Sequence, residues 1–218
     1  MKKQRIPETD HGIQGEVTVQ QYDQMQRGLR DKGWIETKAL IRSGIIHGHA
    51  LEIGHGPGYL GLEWLNLTQG TTLTGLDISP DMHALVKRNA GEYGLTDRTV
   101  YRLGNCNRLP FPDNTFDAAF TNGSLHEWED PLCAFNEIWR VLKPGGRYFI
   151  SDLRRDMNAL LRGLMWLSVS PAAIRPGLTT SINASYVPDE LREMAAQTKL
   201  KGGTITTDPI GLTLTGVK

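Results

Sequence analysis

Three glycines at alternate positions, Gly54, Gly56 and Gly58, follow a short apolar run, Ala50-Leu51-Glu52-Ile53. After them Tyr59, Leu62, Trp64 and Leu65 recur at helical spacing. A strand, a glycine turn and a helix N-terminus together present backbone N–H groups to a ligand, and glycine lets that ligand come close because no Cβ intervenes. Asp77 stands 19 residues after Gly58, at the end of a second apolar run, Leu73-Thr74-Gly75-Leu76. A carboxylate there either caps a helix or accepts two hydrogen bonds from a ribose diol. Next to the glycine loop, the ribose reading is favoured. Gly56, Gly58 and Gly61 also satisfy G-x-G-x-x-G, so a dinucleotide site and a ligand-free glycine turn stay open at this point.

The elements that must hold these residues alternate. Apolar positions Val19, Tyr22, Met25 and Leu29, then Ile35, Leu40 and Ile41, predict two helices ahead of the first strand, with a break at Gly28 or Gly33. Ser79-Pro80 supplies an N-cap and an N1 proline for a helix to about Tyr93, with Met82, Leu85, Val86 and Ala90 on one face. Strands are expected at 99–103, 116–120 and 147–151, with a helix opened by Asp130-Pro131 and closed by Pro144-Gly145-Gly146. Pro188 begins a last helix, and 204–207 and 212–215 read as two strands whose short connection permits antiparallel pairing but no parallel crossover. The fold class is therefore α/β: a Rossmann-like, doubly wound, mostly parallel seven-stranded sheet with helices on both faces and an antiparallel C-terminal hairpin.

Length fits one domain over 1–218, with a helical cap to about 47, a core over about 48–152, a lid or insertion over about 153–187 and a closing helix and hairpin over about 188–218. Lys plus Arg equals Asp plus Glu at 24 each, so no net field recruits nucleic acid. Cys106 and Cys133 are isolated, with no Cys/His ligand spacing, so neither a disulfide framework nor a zinc site is suggested and no metal is expected. The opening MKKQRIPETDHG lacks an apolar h-region, and no apolar run reaches the roughly 18 residues of a membrane span. A cytoplasmic protein is expected, its oligomeric state unreadable.

Four stretches in order, LEIGHGPG, LTGLDISPDM, GNCNRLPFPDNTFDAAFTNGSLHEWEDP and RVLKPGGRYFISD, together with the tail SYVPDELREMAAQTKL and its two strands, resemble the class I S-adenosylmethionine-dependent methyltransferases, particularly the small-molecule, ubiquinone/menaquinone type. The resemblance implies S-adenosyl-L-methionine as cofactor and S-adenosyl-L-homocysteine as product. It implies that Glu52, Gly54, His55, Gly56 and Gly58 hold the methionine part, that Asp77 takes the ribose hydroxyls, and that Ile78 and Met82 pack on the adenine. Asn105 stands where the family usually has Asp and can still accept through its carbonyl oxygen. Cys106 follows as a packing residue, and Asn122 lies near the methyl group. The family often shows two histidines after the fourth strand; here the pair is His126-Glu127, with His126 a candidate general base or substrate contact and otherwise a structural residue. No N-P-P-Y run occurs in Thr121-Asn122-Gly123-Ser124, which disfavours methylation of DNA bases and side-chain amides.

Transfer from a sulfonium is an in-line displacement, so the protein must mainly align the reactants and shield them from water, and a base is needed only for a protonated nucleophile. Acceptor contacts are expected from Tyr22 and His126, and from Leu164 and Met165 if the apolar stretch at 157–167 closes as a lid. That stretch reads first as a helix packed on the core, with a lid, or a surface that touches a membrane, as the other readings. A non-catalytic cofactor-binding protein stays open beside the enzyme. An NAD(P)-dependent oxidoreductase shares the loop and Asp77 but lacks its Tyr-x-x-x-Lys pair.

Overall fold

The computed structural model describes residues 4–8 and 12–218. Five parallel strands, β1 (His49–Ile53), β2 (Thr72–Asp77), β3 (Thr99–Leu103), β4 (Phe116–Asn122) and β5 (Leu142–Leu153), are joined by helical crossovers. β7 (Gly211–Val217) pairs antiparallel with β5, and β6 (Thr204–Thr207) pairs antiparallel with β7. The order across the sheet is β3-β2-β1-β4-β5-β7-β6, so the chain reverses its winding between β1 and β4. Ligands of open α/β sheets bind outside the carboxyl ends of the strands at such a switch point.

Helices cover both faces because the strand residues alternate. Leu51 and Ile53 of β1 pack with α5 (Pro131–Val141) and α8 (Pro188–Ala196), while Ala50 packs with α2 (Thr37–Arg42), α3 (Tyr59–Leu67) and α4 (Pro80–Glu92). In β4, Phe116 shares the α5 face with Ala119, although parity would put it with Ala118 and Phe120. A register shift between Phe116 and Ala118 turns the chain by one residue and accounts for it. Ser79 Oγ accepts from the Met82 N–H and Asp130 Oδ1 from the Cys133 N–H, the two caps expected from Ser-Pro and Asp-Pro.

The helix α1 (Glu16–Asp31) runs through Gly28 without a break; the chain turns at Gly33, whose φ is +69°. Buried Asp23 fastens α1 to the core, accepting from Tyr59 Oη at 2.7 Å, Arg27 Nε at 3.0 Å and Asn89 Nδ2 at 3.3 Å. The 153–187 segment forms α6 (Ala159–Ser168) and α7 (Arg175–Ala184). No residue of α6 is buried, and Leu160, Leu164 and Leu167 are more than half exposed. Among the described residues no helix is long and apolar enough to cross a membrane.

Candidate active site

The glycine loop leaves β1 with all three glycines at positive φ. A Cβ on Gly54 would stand 2.6 Å from Ser124 and one on Gly58 2.4 Å from Val86 Cγ2, so the loop is pressed against β4's exit on one side and α4 on the other. Asp77, at the carboxyl end of β2, is buried; its Oδ2 accepts from the Gly56 N–H at 2.8 Å and its Oδ1 from the Ser79 N–H at 2.9 Å. The carboxylate is thereby fixed in orientation, and each oxygen keeps a lone pair for a further donor.

Glu52 lies beneath the loop. Its Oε2 is buried without a hydrogen-bond partner, and burial holds the carboxyl well above the usual carboxylate range, with Asp77 adding to the effect. The His55 ring faces away from the cavity, edge-on to Tyr101 at 5.1 Å. Its Nδ1 lies 2.7 Å from the Gly56 carbonyl oxygen; since a carbonyl accepts, Nδ1 carries the proton. Burial holds His55 below its ordinary pKa and so neutral. What His55 offers the cavity is backbone.

These groups line one cleft that opens to solvent. Glu52, the glycine loop, Asp77, Ile78, Met82, Asn105, Cys106 and Asn122 all border it. Met82 is fully buried beside Val19 and Tyr22, while Ile78 stays partly exposed. Asn105 Oδ1 accepts from the Asn107 N–H at 2.8 Å in a local turn and keeps a second lone pair, while its amide nitrogen stays available as a donor. Asn122 Oδ1 accepts from Ser151 Oγ at 3.0 Å.

The opposite wall comes from α1 and from the turn after β4. Tyr22 sits over the loop, its hydroxyl taking a hydrogen bond from Gln26 Nε2, and burial raises its phenol pKa. Gln26, Ile35, Glu127 and Trp128 complete that wall. Sequence reasoning named none of these four as cavity residues. The 22/26 pair at one helical turn was an available signal for Gln26; nothing local pointed to Ile35. Burial, reinforced by nearby Glu8 and Asp77 and opposed by His126, pushes the Glu127 carboxyl up to about 7.

His126 is buried beside the cavity and does not border it. Both oxygens of buried Asp152 lie 2.9 Å from its Nδ1, and Oδ2 also accepts the His126 N–H at 2.8 Å. Nε2 points toward Glu8, 3.4 Å away, and Glu127, 3.9 Å away. These carboxylates outweigh burial and push the imidazole up to about 9, so at neutral pH it holds a proton and is no general base in this state. Leu164 and Met165 do not border the cavity, and α6 neither covers it nor packs in the core.

A family sequence model described as "Methyltransferase domain" matches residues 51–150, the stretch from β1 into β5 that carries the glycine loop and Asp77. A demethylmenaquinone methyltransferase of Lactiplantibacillus plantarum is 32% identical over 163 residues, which cover 70% of this chain and 67% of that protein. The chain belongs to the class I S-adenosylmethionine-dependent methyltransferases. A second demethylmenaquinone methyltransferase, from Deinococcus radiodurans, is 28% identical over 178 residues, 78% of this chain and 72% of that protein. A solved structure described as a putative S-adenosylmethionine-dependent methyltransferase from Methanococcus maripaludis superposes with a TM-score of 0.73 at 24% identity, over 94% of this chain and 96% of that one. This methyltransferase thus takes its methyl group from S-adenosylmethionine and acts on small molecules; the oxidoreductase reading of the glycine loop finds no support.

Proposed function

We propose that this methyltransferase holds its cofactor along the glycine loop and methylates a small, apolar, ring-bearing acceptor lodged beneath α1. The observation that carries the reading is Asp77: a buried carboxylate oriented by two backbone N–H groups, at the switch point of the sheet, beside a loop with no room for a Cβ at Gly54 or Gly58. The orphaned Glu52 Oε2 fits the same ligand, because a buried carboxylate oxygen without a donor suits the cofactor's ammonium group. In this reading Asp77 takes the ribose hydroxyls, Ile78 and Met82 pack on the adenine, the Asn105 amide donates to its edge, and Asn122 lies by the methionine end. Cys106 serves as packing. The bound cofactor supplies an electrophilic methyl group on a sulfonium.

What remains for the chain is alignment and exclusion of water. Tyr22, Ile35 and Trp128 give the acceptor an apolar, aromatic wall, in keeping with relatives named for demethylmenaquinone. Glu127 is an ionisable side chain on that wall, and with a carboxyl near 7 it can take a proton from a hydroxyl as the methyl arrives. His126, charged and off the cavity, acts as a clamp beneath Glu127. The reading treats the chain as one domain with α1 and α2 as its cap and α6 and α7 as an insertion. It also places the protein in a reducing compartment such as the cytoplasm, where two free cysteines are stable.

Calorimetric titration with S-adenosylmethionine, with NAD(H) and NADP(H) as controls, is the first test, followed by product detection with hydroquinones, phenols, thiols and amines. Micromolar binding and methylation of a ring hydroxyl or ring carbon are expected. Exclusive methylation of aliphatic amines removes the proposed acceptor class, and a nucleotide bound in place of the cofactor removes the assignment of the loop.

A further inference from the structure

We infer that Glu8, His126 and Glu127 form a binding site for one divalent first-row transition-metal ion at the acceptor wall of the cavity. One ligand atom from each of the three residues lies within 4.8 Å of the others, and Nε2 of His126 is 3.4 Å from Glu8 and 3.9 Å from Glu127. An ion roughly 2.0–2.2 Å from each donor holds its ligands about 3–4.4 Å apart, so side-chain adjustments of a few tenths of an ångström bring all three into a coordination sphere.

The histidine supplies the independent observation. His126 is 4% exposed, and its Nε2 has no hydrogen-bond partner while aimed at two carboxylates. A carboxylate accepts, so the bond at 2.9 Å to Asp152 keeps one ring proton on Nδ1, and an ion binding at Nε2 displaces the second proton to solvent and takes the lone pair it leaves. A carboxylate behind the remote nitrogen of a ligating imidazole is the arrangement that fixes its tautomer and raises its basicity. Asp152 is itself held by the His126 and Leu153 N–H groups. Arg5 donates to the His126 carbonyl at 2.8 Å, and Ser181 Oγ lies 3.4 Å from Glu8, so the N-terminal residues that carry Glu8 are tied down over the ring.

Charge favours the same occupant. Glu8, Glu127 and Asp152 converge on one imidazole, so three carboxylates face the ring's single charge, with Arg5 held on the His126 carbonyl. Two carboxylates and one imidazole, without a thiolate, suit Mn²⁺, Fe²⁺ or Zn²⁺. Three protein donors leave a position for an oxygen of the acceptor. Since Glu127 borders the cavity, the ion would lower the pKa of a hydroxyl bound there, with Glu127 as its ligand and no longer the base. That last consequence rests on the acceptor reading given above; the binding itself does not.

The test uses the tag-free full chain stripped with EDTA, titrated with Mn²⁺ under electron paramagnetic resonance and with Zn²⁺ by calorimetry, each sample also being titrated with S-adenosylmethionine. One ion per chain is expected. Asp152→Asn should weaken it about 10–100-fold as a positioning residue, and Glu8→Gln and His126→Gln should weaken it further while cofactor affinity persists. A chain that binds cofactor but takes up neither ion overturns the site, as does uptake unchanged by Glu8→Gln and His126→Gln; the cluster is then an ion pair on a protonated ring. Ion uptake without cofactor binding upholds the site and removes the cofactor reading instead.

Discussion

A Cβ built on Gly61 would stand 2.3 Å from Oε2 of Glu52 and 2.5 Å from Cδ2 of Leu73. The last glycine of the G-x-G-x-x-G match is therefore there for α3 to press onto β1 and β2, and the contact it protects is the buried carboxylate under the cofactor loop. Alanine in a helix ordinarily gains about 1 kcal/mol over glycine. Here both neighbours are themselves buried, and overpacking costs about 1–3 kcal/mol. Gly61→Ala is expected to lower the urea midpoint and to weaken cofactor binding together; a raised midpoint would show that the Glu52 side chain swings away freely.

Glu52→Gln should separate stability from binding. The Glu52 carboxyl titrates well above its ordinary 4.5 in the folded chain because it is buried. Below about 4.5 it is neutral in both folded and unfolded chains, so wild type and variant are equally stable there. As pH rises the unfolded chain releases this proton first, and wild-type stability declines until the folded value is passed. Glutamine has no proton to lose. Without ligand, the melting-temperature advantage of Glu52→Gln should be absent near pH 4 and grow toward pH 8, while affinity for S-adenosylmethionine falls at pH 8. A gap that does not widen with pH would mean that Glu52 ionises as freely folded as unfolded.

Asp77→Ala removes the acceptor for both the Gly56 and Ser79 N–H groups as well as any partner for a ribose. Charged-acceptor hydrogen bonds contribute about 1.5–3 kcal/mol each. Cofactor affinity is expected to fall at least about 100-fold, equivalent to roughly 2.8 kcal/mol, by calorimetry. Asp77→Asn keeps one acceptor oxygen and should lose less. Equal losses for the two variants would argue that loop collapse, rather than the missing carboxylate, is responsible.

The strands, the two proline-led helix caps and the Asp77 corner were legible because each is written locally, in period, cap residue and glycine spacing. The acceptor side was not. Glu8, His126 and Asp152 meet only through the fold, and no window of sequence contains them together. His55, in the loop motif itself, turns inward onto Tyr101 because Gly75 leaves a gap beside β2 for its ring. Gly28 read as a break, yet the Asp23 and Arg27 contacts with α3 and α4 hold the helix through it. The apolar run at 157–167 has the period of a helix, but periodicity does not say which surface it meets.

That run yields a prediction of its own. Leu164 is 56% exposed and away from the cavity, so Leu164→Asp should change stability by no more than about 0.5 kcal/mol and leave cofactor affinity intact. With a freely soluble acceptor, KM should not move. A several-fold rise in KM would mean that α6 closes over the acceptor during turnover, as the sequence allowed for a lid.

Cys106 borders the cavity, yet burial pushes its thiol up to about 12. Its neighbour Cys133 is also raised by burial and gives its thiol hydrogen to the Asn107 carbonyl at 3.1 Å. The thiolate is the nucleophile, and against an ordinary thiol near 8.5 the Cys106 thiolate fraction at pH 8 is lower by about three orders of magnitude. Iodoacetamide should therefore label native Cys106 far more slowly than the urea-unfolded chain, as read by peptide mass spectrometry. Because the slowness comes from a neutral thiol in its packed place, Cys106→Ser should keep cofactor binding within a few-fold, with a modest loss of stability for a hydroxyl in an apolar site. Fast native labelling that the cofactor blocks would instead make this sulfur a group in contact with the ligand.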